Sequence, residues 1–209
     1  GQVLIDMATS KPATSQRLAG LVAARGAHML DAPVSGGEQG ARDGTLSIMV
    51  GGDQKVFERV KPVLAALGTT ITYIGANGMG LVAKLVNQML MEATFCVVGE
   101  ALHFAQVAGA DLEAVYQAVR GGHGRSAVLD MMYEQVRAGD FGNGRELTLH
   151  TKDGGYALDA ARTLGVWTPI TEVSHRLFER AYNAGLGAHS AAAVLRVLEQ
   201  DAGARPTPQ

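Results

Sequence analysis

The fold is decided by the stretch Gly75-Ala76-Asn77-Gly78-Met79-Gly80-Leu81-Val82-Ala83-Lys84, in which the pattern of the chain changes. Before it, short apolar runs that read as strands alternate with helical patterns. After it, no segment reads as a strand. Alternating strands and helices predict an α/β sheet, whereas successive helical patterns predict an all-α region. The sequence therefore predicts an α/β domain at residues 1–77, followed by an all-α domain at residues 78–209.

The elements of both domains can be placed from the apolar pattern. Two helix N-termini are indicated by single residues: Pro12 is tolerated in a first helical turn, and Asp53 is a favourable N-cap. Four runs read as strands, at residues 3–6, 27–30, 45–50 and 70–74. In the second domain a strongly apolar pattern predicts one long central helix over residues 79–108. Shorter helical patterns follow at 111–120, 126–138, 146–164, 168–184 and 189–200.

Composition and charge exclude several classes of partner. Lys and Arg total 18 and Asp and Glu total 20, so the net charge is -2, and aromatic residues make up only 5%. Nucleic-acid binding needs clustered basic residues and stacking platforms, so we expect no nucleic-acid partner. No apolar run reaches the roughly 18 residues of a membrane helix, so we expect no membrane span. The single cysteine, Cys96, excludes an internal disulfide and predicts a cytoplasmic location.

A Gly-rich loop follows the second predicted strand at Ser35-Gly36-Gly37. Such a loop offers a hydroxyl and unhindered backbone N–H groups, and it can hold a carboxylate or a phosphate because glycine lets the backbone approach the anion closely. An ordinary glycine turn is the plainer interpretation of the same residues. The six His residues are too scattered for a metal site, and the chain contains no Ser/His/Asp pattern.

Lys84 lies within the apolar run that opens the long helix. It shares one helix face with Asn87 and Gln88, which follow at i+3 and i+4. A buried Lys is costly without a partner or a task, and burial lowers the pKa of an amine toward neutrality, which suits proton transfer. The alternative is a Lys whose stem lies along the surface with its amine in water.

Two further motifs carry weaker signals. The run from Gly75 to Gly80 resembles a phosphate-binding turn, but its spacing departs from the G-x-G-x-x-G fingerprint, and we reject it as the main cofactor site. Lys152-Asp153 lies early in a helical pattern, where the Lys could reach a cofactor while the Asp orients it. A solvated charge pair is the alternative for these two residues.

The ordered set of motifs resembles the β-hydroxyacid dehydrogenase family over essentially the whole chain. Each motif is weak alone, but their order is specific. The segments that carry the resemblance are Asp6 to Pro12, Asp31 to Gly37, Gly44 to Gly52, Gly78 to Gln88, Gly121-Gly122 with Ser126, and Leu149 to Asp153.

This resemblance implies a partial Rossmann-type sheet joined by a long helix to an all-helical domain. It also implies NAD or NADP as cofactor, Lys84 as the catalytic acid/base, and a substrate carboxylate held by Ser35, Gly36 and Gly37. Asn87 and Gln88 orient Lys84 or the substrate. Thr9, Lys152 and Asp153 belong to the cofactor side.

Finer features resemble the tartronate semialdehyde reductase branch, among them Asn87-Gln88 and the late His189-Ser190-Ala191. We therefore expect reduction of a small carboxylate-bearing aldehyde to a hydroxyacid, with 3-hydroxyisobutyrate dehydrogenase and succinic or glyoxylic semialdehyde reductases as alternatives. Relatives are usually dimers or tetramers, which implies a homodimer or a homotetramer. A non-catalytic fragment that serves in oligomerisation is the alternative from another class.

The chain also departs from the family pattern. The resemblance implies that the N-terminal Rossmann half, with its Gly-rich pyrophosphate turn, is missing here. The chain alone is therefore expected to bind dinucleotide poorly, and the NAD or NADP preference is unreadable. Arg145 stands where relatives often carry Phe, and Gly154-Gly155 replaces the usual Asp-Leu continuation.

Overall fold

A computed structural model describes residues 1–142 and 146–201 of the chain. The chain divides into two compact units, Gly1–Asn87 and Gln88 onward. The first is an α/β unit, the second is helical, and helix α4, Met79–Val107, runs through the boundary. The predicted fold class, α/β followed by all-α, is confirmed. Arg145 lies outside the described residues.

The α/β unit contains five strands and three helices before α4 begins. The strands are β1 Val3–Asp6, β2 His28–Asp31, β3 Val34–Ser35, β4 Leu46–Gly51 and β5 Gly68–Gly75. The helices are α1 Pro12–Ala23, α2 Gly37–Asp43 and α3 Gln54–Leu64. Helix α3 begins as expected, because the Asp53 carboxylate accepts a hydrogen bond from the Val56 N–H at 2.9 Å.

The five strands form one mixed sheet. Strand β1 pairs in parallel with β2, and β4 pairs in parallel with β5. Pro33 separates β2 from β3, and both of these strands run antiparallel to β4, with Asp31 opposite Gly51 and Ser35 opposite Ser47. A buried apolar cluster packs the sheet against α3 and includes Leu30, Ile48, Val50, Phe57 and Leu64.

The helical unit packs around the second half of α4. Its other helices are α5 Leu112–Arg120, α6 Ala127–Ala138, α7 Glu146–Leu164, α8 Pro169–Asn183 and α9 Leu195–Asp201. Its core includes Phe95, Leu102, Met132, Leu147 and Phe178. Beyond α4 no strand occurs in the part of the chain that the structure describes, as the sequence predicted.

Two local predictions were wrong. The Gly-rich loop after Ser35 continues directly into the short helix α2, which its polar sequence did not predict. The expected helix over residues 189–200 is broken into a 3₁₀ turn at Ala191–Val194 followed by α9. The preceding residues form another 3₁₀ turn at Leu186–Ala188, which suits the tight, Gly-bounded connection there.

Helix α4 also corrects the expectation that no apolar run is long enough to cross a membrane. By length and composition alone it passes that test, with 29 residues and a mean hydropathy of 1.4 in its most apolar window. Isolated charged residues interrupt the apolar run in the sequence, but an average over 18 residues tolerates them. The core helix of a globular protein passes the same test, and 44% of this window is buried, so the finding is weak evidence for a membrane span.

Candidate active site

The first turn of α4 is fixed to the carboxyl end of β2 by one buried carboxylate. Asp31 accepts hydrogen bonds from the backbone N–H groups of Gly78 at 2.7 Å and Leu81 at 3.0 Å. The Ser15 hydroxyl donates a third bond at 3.1 Å. A helix N-terminus leaves N–H groups without partners inside the helix, and a carboxylate satisfies both their hydrogen bonding and the helix dipole. Because these N–H groups are bound to Asp31, the turn does not offer them to a phosphate.

Lys84 follows Leu81 by three residues on this anchored helix. It is 8% exposed, so the alternative of an amine lying in water along the surface is wrong for this chain. Asn87, at i+3, is half-buried, and Gln88, at i+4, is buried. The Asp31 anchor thus holds a buried cation one turn away from the carboxyl edge of the sheet.

The Ser35 loop follows the carboxyl end of β2, where Asp31 lies. Ser35 is half-buried on β3, directly beyond the Pro33 bend that follows Asp31. Gly36 and Gly37 have φ values of 130° and 64°, in the left-handed region that glycine favours, and both are exposed. The first N–H groups of α2 follow at once, so the loop combines a hydroxyl with backbone donors.

Thr9 lies in the loop that leaves the carboxyl end of β1. Strands β1 and β2 are parallel, with Asp6 opposite Asp31, so this loop and the Ser35 segment start from the same edge of the sheet. Thr9 is half-buried. In open α/β sheets, ligands bind outside the carboxyl ends of the strands, which is where the chain places these two candidate segments.

In the helical unit, the candidate residues Gln88 and Lys152 both contact the buried carboxylate of a third candidate, Asp153. The Gln88 side-chain amide donates to Asp153 Oδ2 at 2.8 Å, and the Lys152 amine lies 3.2 Å from Asp153 Oδ1. Asp153 is buried, whereas the Lys152 side chain is 41% exposed. This arrangement differs from a solvated charge pair, because only the cation reaches the surface.

A second buried acidic residue, Glu92, lies beside this group, and the sequence motifs did not indicate it. Glu92 lies one turn beyond Gln88 on α4 and is fully buried, and among the described residues neither of its carboxylate oxygens accepts a hydrogen bond. His175 Nδ1 is 3.7 Å from Glu92 Oε2, and His175 Nε2 is 3.6 Å from Glu179. Glu92, like Lys84, is a charged residue within an apolar stretch of α4, and this is the sequence signal that could have identified it.

Burial and charge shift both members of this pair. Burial raises the pKa of the Glu92 carboxyl, and the charge of Asp153 adds to that rise, while His175 opposes it. Interaction with Glu92 raises the pKa of the His175 imidazole against the effect of burial. The two groups therefore hold a proton more firmly than they would in the unfolded chain.

Other reactive side chains of the described residues do not form a site of their own. No group of three or more His, Cys, Asp and Glu residues suited to a metal ion occurs within residues 1–142 and 146–201. Cys96 is buried in the helical core, and burial raises the pKa of its thiol to about 12, so this thiol is protonated at neutral pH. His150 packs on the rings of Phe95 and Phe178 in the same core.

Two family sequence patterns cover most of the chain. Residues 1–75 match the NAD-binding domain of 6-phosphogluconate dehydrogenase. Residues 78–198 match the pattern described as NAD-binding of NADP-dependent 3-hydroxyisobutyrate dehydrogenase.

Individual relatives agree with these patterns. The chain is 42% identical to the 2-hydroxy-3-oxopropionate reductase of Escherichia coli strain K12 over 95% of its own length and 68% of the relative. The crystal structure of 3-hydroxyisobutyrate dehydrogenase from Salmonella typhimurium is similar, with a TM-score of 0.85 at 30% identity over 93% of this chain and 69% of that one. The structure of Psf3 in complex with NADP+ and 2-OPP has a TM-score of 0.85 at 25% identity over 95% of this chain and 69% of that one.

The chain thus belongs to the β-hydroxyacid dehydrogenase family, whose members include 3-hydroxyisobutyrate dehydrogenases and 2-hydroxy-3-oxopropionate reductases. The cofactor of this family is NAD or NADP, as the matched NAD-binding patterns and the NADP+ complex indicate. The chain spans about two thirds of the length of these relatives.

Proposed function

We propose that this chain carries the acid/base and carboxylate-binding groups of an NAD(P)H-dependent reductase that converts tartronate semialdehyde to glycerate. One observation carries the proposal. Lys84 is a buried cation on a helix whose first turn is bonded to Asp31, at the sheet edge from which the Ser35 loop also leaves. A proton donor and an anion-binding loop at one edge are what reduction of an aldehyde acid requires.

In this proposal a few candidate residues of the α/β unit have defined tasks in the reaction. NAD(P)H, when bound, supplies the hydride to the aldehyde carbon. The Lys84 amine donates a proton to the oxygen on which negative charge develops, and it takes that proton back in the reverse direction. Ser35, Gly36 and Gly37 hold the substrate carboxylate through the hydroxyl and backbone N–H groups. Asn87 orients Lys84 or the substrate.

The cofactor side is assigned to Thr9 in the α/β unit and to Lys152 and Asp153 in the helical unit. The donor set suits a polar, anionic dinucleotide, because Lys152 presents a part-exposed amine and Asp153 fixes that amine from a buried position. Gln88 contributes by holding the second oxygen of Asp153. These residues bind and orient, and they take no proton from the substrate in this scheme.

The choice of substrate rests on the relatives and on Asn87-Gln88. The E. coli relative at 42% identity is named a 2-hydroxy-3-oxopropionate reductase, another name for tartronate semialdehyde reductase. A 3-hydroxyisobutyrate dehydrogenase of Pseudomonas aeruginosa is 35% identical, so that activity stays an alternative, as do succinic and glyoxylic semialdehyde reduction. A panel of these aldehyde acids, compared by kcat/KM, separates the alternatives.

The decisive experiment follows NADH and NADPH oxidation by the full-length protein with tartronate semialdehyde, beside its Lys84→Ala variant. We expect turnover to fall at least about a thousandfold in the variant while the circular dichroism spectrum is unchanged. Lys55→Ala, which removes an exposed Lys from α3, is the matched control and keeps full activity. Retained turnover in folded Lys84→Ala protein would contradict the assignment.

An assembly role is the second candidate, and a stripe on α4 favours it. Leu90, Val97 and Phe104 recur every seven residues and are 65%, 58% and 76% exposed. Apolar residues at this spacing form a seam that suits packing against another helix. We propose that the stripe joins copies of this chain into a homodimer or a homotetramer. Phe104→Glu is expected to lower the mass measured by light scattering, whereas an unchanged mass would exclude the stripe as the interface.

The location of the protein and its class are proposals of the same kind. The cytoplasmic location stays a prediction from the single cysteine. A measurement of cofactor binding distinguishes a purely structural fragment from a catalytic one, because only the catalytic form needs to bind NADH or NADPH. Cofactor binding by the full-length protein therefore separates the two classes before any substrate is found.

A further inference from the structure

Glu92 is a fully buried acidic residue of the helical unit to which the proposed reaction gives no task. It follows Gln88 by one turn on the same face of α4, and it is fully buried. An isolated buried carboxylate is costly, so its retention calls for a compensating group or a role. His175 at 3.7 Å supplies a partial compensation, and among the described residues no hydrogen bond to Glu92 is formed.

Gly154 lies between the Glu92 carboxylate and Asp153. A β-carbon at Gly154 would lie 2.4 Å from both carboxylate oxygens of Glu92 and 2.6 Å from Nδ1 of His175. These distances are far below any real contact, so only glycine admits the pair. Gly154 directly follows Asp153, and the Glu92 carboxylate therefore lies against the backbone that carries the Asp153 side chain. The glycine at position 154 has its physical reason here.

We propose that Glu92 and His175 are positioning residues that hold one shared proton and set the place of the Asp153 carboxylate, and with it Gln88 and Lys152. With the proton present, the pair is neutral overall and Asp153 binds its two partners. Without it, an uncompensated negative charge on Glu92 repels Asp153 across Gly154. This inference rests on the proposed function, because Asp153 and Lys152 are assigned there to the cofactor side.

The surroundings of the pair leave it a route to solvent. His175 and Lys152 both line a groove of about 670 Å³ between α7 and α8. The charged groups that act on the pair are Asp153 and Arg162 from α7 and Glu179 from α8. Glu92 in turn acts on the buried thiol of Cys96 on α4. The proton can therefore equilibrate with the medium on the side of the helical unit where Lys152 stands.

The test is the affinity of the full-length protein for NAD(P)H, measured by fluorescence titration from weakly acidic to alkaline pH. We expect the wild-type Kd to rise about tenfold over this range as the pair loses its proton, a change of about 1.4 kcal/mol. Glu92→Gln mimics the neutral carboxyl, so its Kd is expected to stay at the low-pH value throughout. Glu100→Gln, an exposed change two turns further along α4, keeps the wild-type profile.

Two outcomes would overturn the inference. A Glu92→Gln profile that follows the wild type shows that the pair does not act on cofactor binding. A parallel loss of affinity at every pH shows that Glu92 is merely structural. Because the readout is binding, it is independent of turnover, and the Lys84→Ala variant should show the wild-type pH profile. A failure of the catalytic assignment is thereby distinguished from a failure of the positioning role.

Gly154→Ala gives a second and independent measurement. The added methyl group collides with the Glu92 carboxylate, so we expect weaker NAD(P)H binding and a lower Tm. In a Glu92→Ala background only the contact with His175 remains. The added methyl group should therefore lower the Tm less than it does in the wild type, and the double variant should show no pH dependence of binding. If the methyl group costs the same in both backgrounds, the two residues do not interact and the proposal is wrong.

Discussion

The α/β unit and the helical unit each bury one carboxylate completely, but they treat it in opposite ways. Asp31 accepts three hydrogen bonds, from Ser15, Gly78 and Leu81. Glu92 accepts none from the described residues and faces His175 at 3.7 Å. A buried charge that is fully hydrogen-bonded rigidifies its surroundings, whereas one that is only partly compensated stays sensitive to protonation.

We call Asp31 the anchor, because its hydrogen bonds fix two elements together, and Glu92 the adjustable charge, because its protonation changes with pH. Asp31 ties the end of β2 to the start of α4, which places Lys84 at a fixed distance along the helix. Glu92 lies against Gly154, next to Asp153, and both Gln88 and Lys152 contact the Asp153 carboxylate. Each of the following changes tests one side of this comparison.

The largest effect is expected at the anchor. Asp31→Ala leaves two backbone N–H groups and a hydroxyl buried without an acceptor, and this should lower the free energy of unfolding by about 3–5 kcal/mol. Guanidinium denaturation measures the loss. Asp43→Ala, which removes an exposed carboxylate from α2, is the control and should cost less than about 0.5 kcal/mol. Similar midpoints for the two variants would show that Asp31 is no anchor.

The adjustable charge predicts a pH-dependent stability. The pKa values of Glu92 and His175 are both raised, so the folded protein holds its protons more tightly than the unfolded chain. Their stabilisation is complete below the ordinary values of 4.5 and 6.5 and is lost as the pH rises through the raised pKa values. We expect a loss on the order of 1 kcal/mol between weakly acidic and alkaline pH.

Urea denaturation across this range measures the slope. Glu92→Gln should flatten it, while Glu100→Gln should leave it unchanged. The Cys96 thiol offers a local probe, because burial raises its pKa to about 12 and it should react with a thiol reagent only when the helical unit opens. A slope that survives in Glu92→Gln would assign the pH dependence to other groups.

The smallest effects should be alike in the two units. Asp53 caps α3 through the Val56 N–H at 2.9 Å, and Ser126 caps α6 through the Leu129 N–H at 3.0 Å. Substituting either residue by Ala should cost about 1 kcal/mol in thermal or denaturant unfolding. Equal losses would show that the two units differ in their buried charges and not in their local helix signals. A negligible loss at one cap would break that symmetry.

Local signals in the sequence were sufficient for most of the fold. The Asp53 cap, Pro12 at the start of α1 and the apolar period of α4 each depend on a few neighbouring residues, and each lies where the pattern predicted. Helix α2 was missed because its polar residues 37–43 give no apolar period to recognise. For Lys84 the apolar neighbours raised the possibility of burial but left a Lys lying along the surface as the alternative, and only its 8% exposure in the structure decided between them.

By itself, the sequence determined the order of the elements, the change from α/β to all-α near Gly78, the family, and the candidate residues, because these depend on local pattern and on ordered motifs. Only the tertiary structure decided which distant residues meet. Asp31 reaches residues 47 and 50 positions away, and Gln88 reaches Asp153 across 65 positions. Why glycine is required at position 154 also becomes clear only from the structure, because the Glu92 carboxylate that occupies the place of a side chain there comes from another helix. No local pattern encodes such a contact, since it depends on how helices pack rather than on which residues are neighbours in the chain.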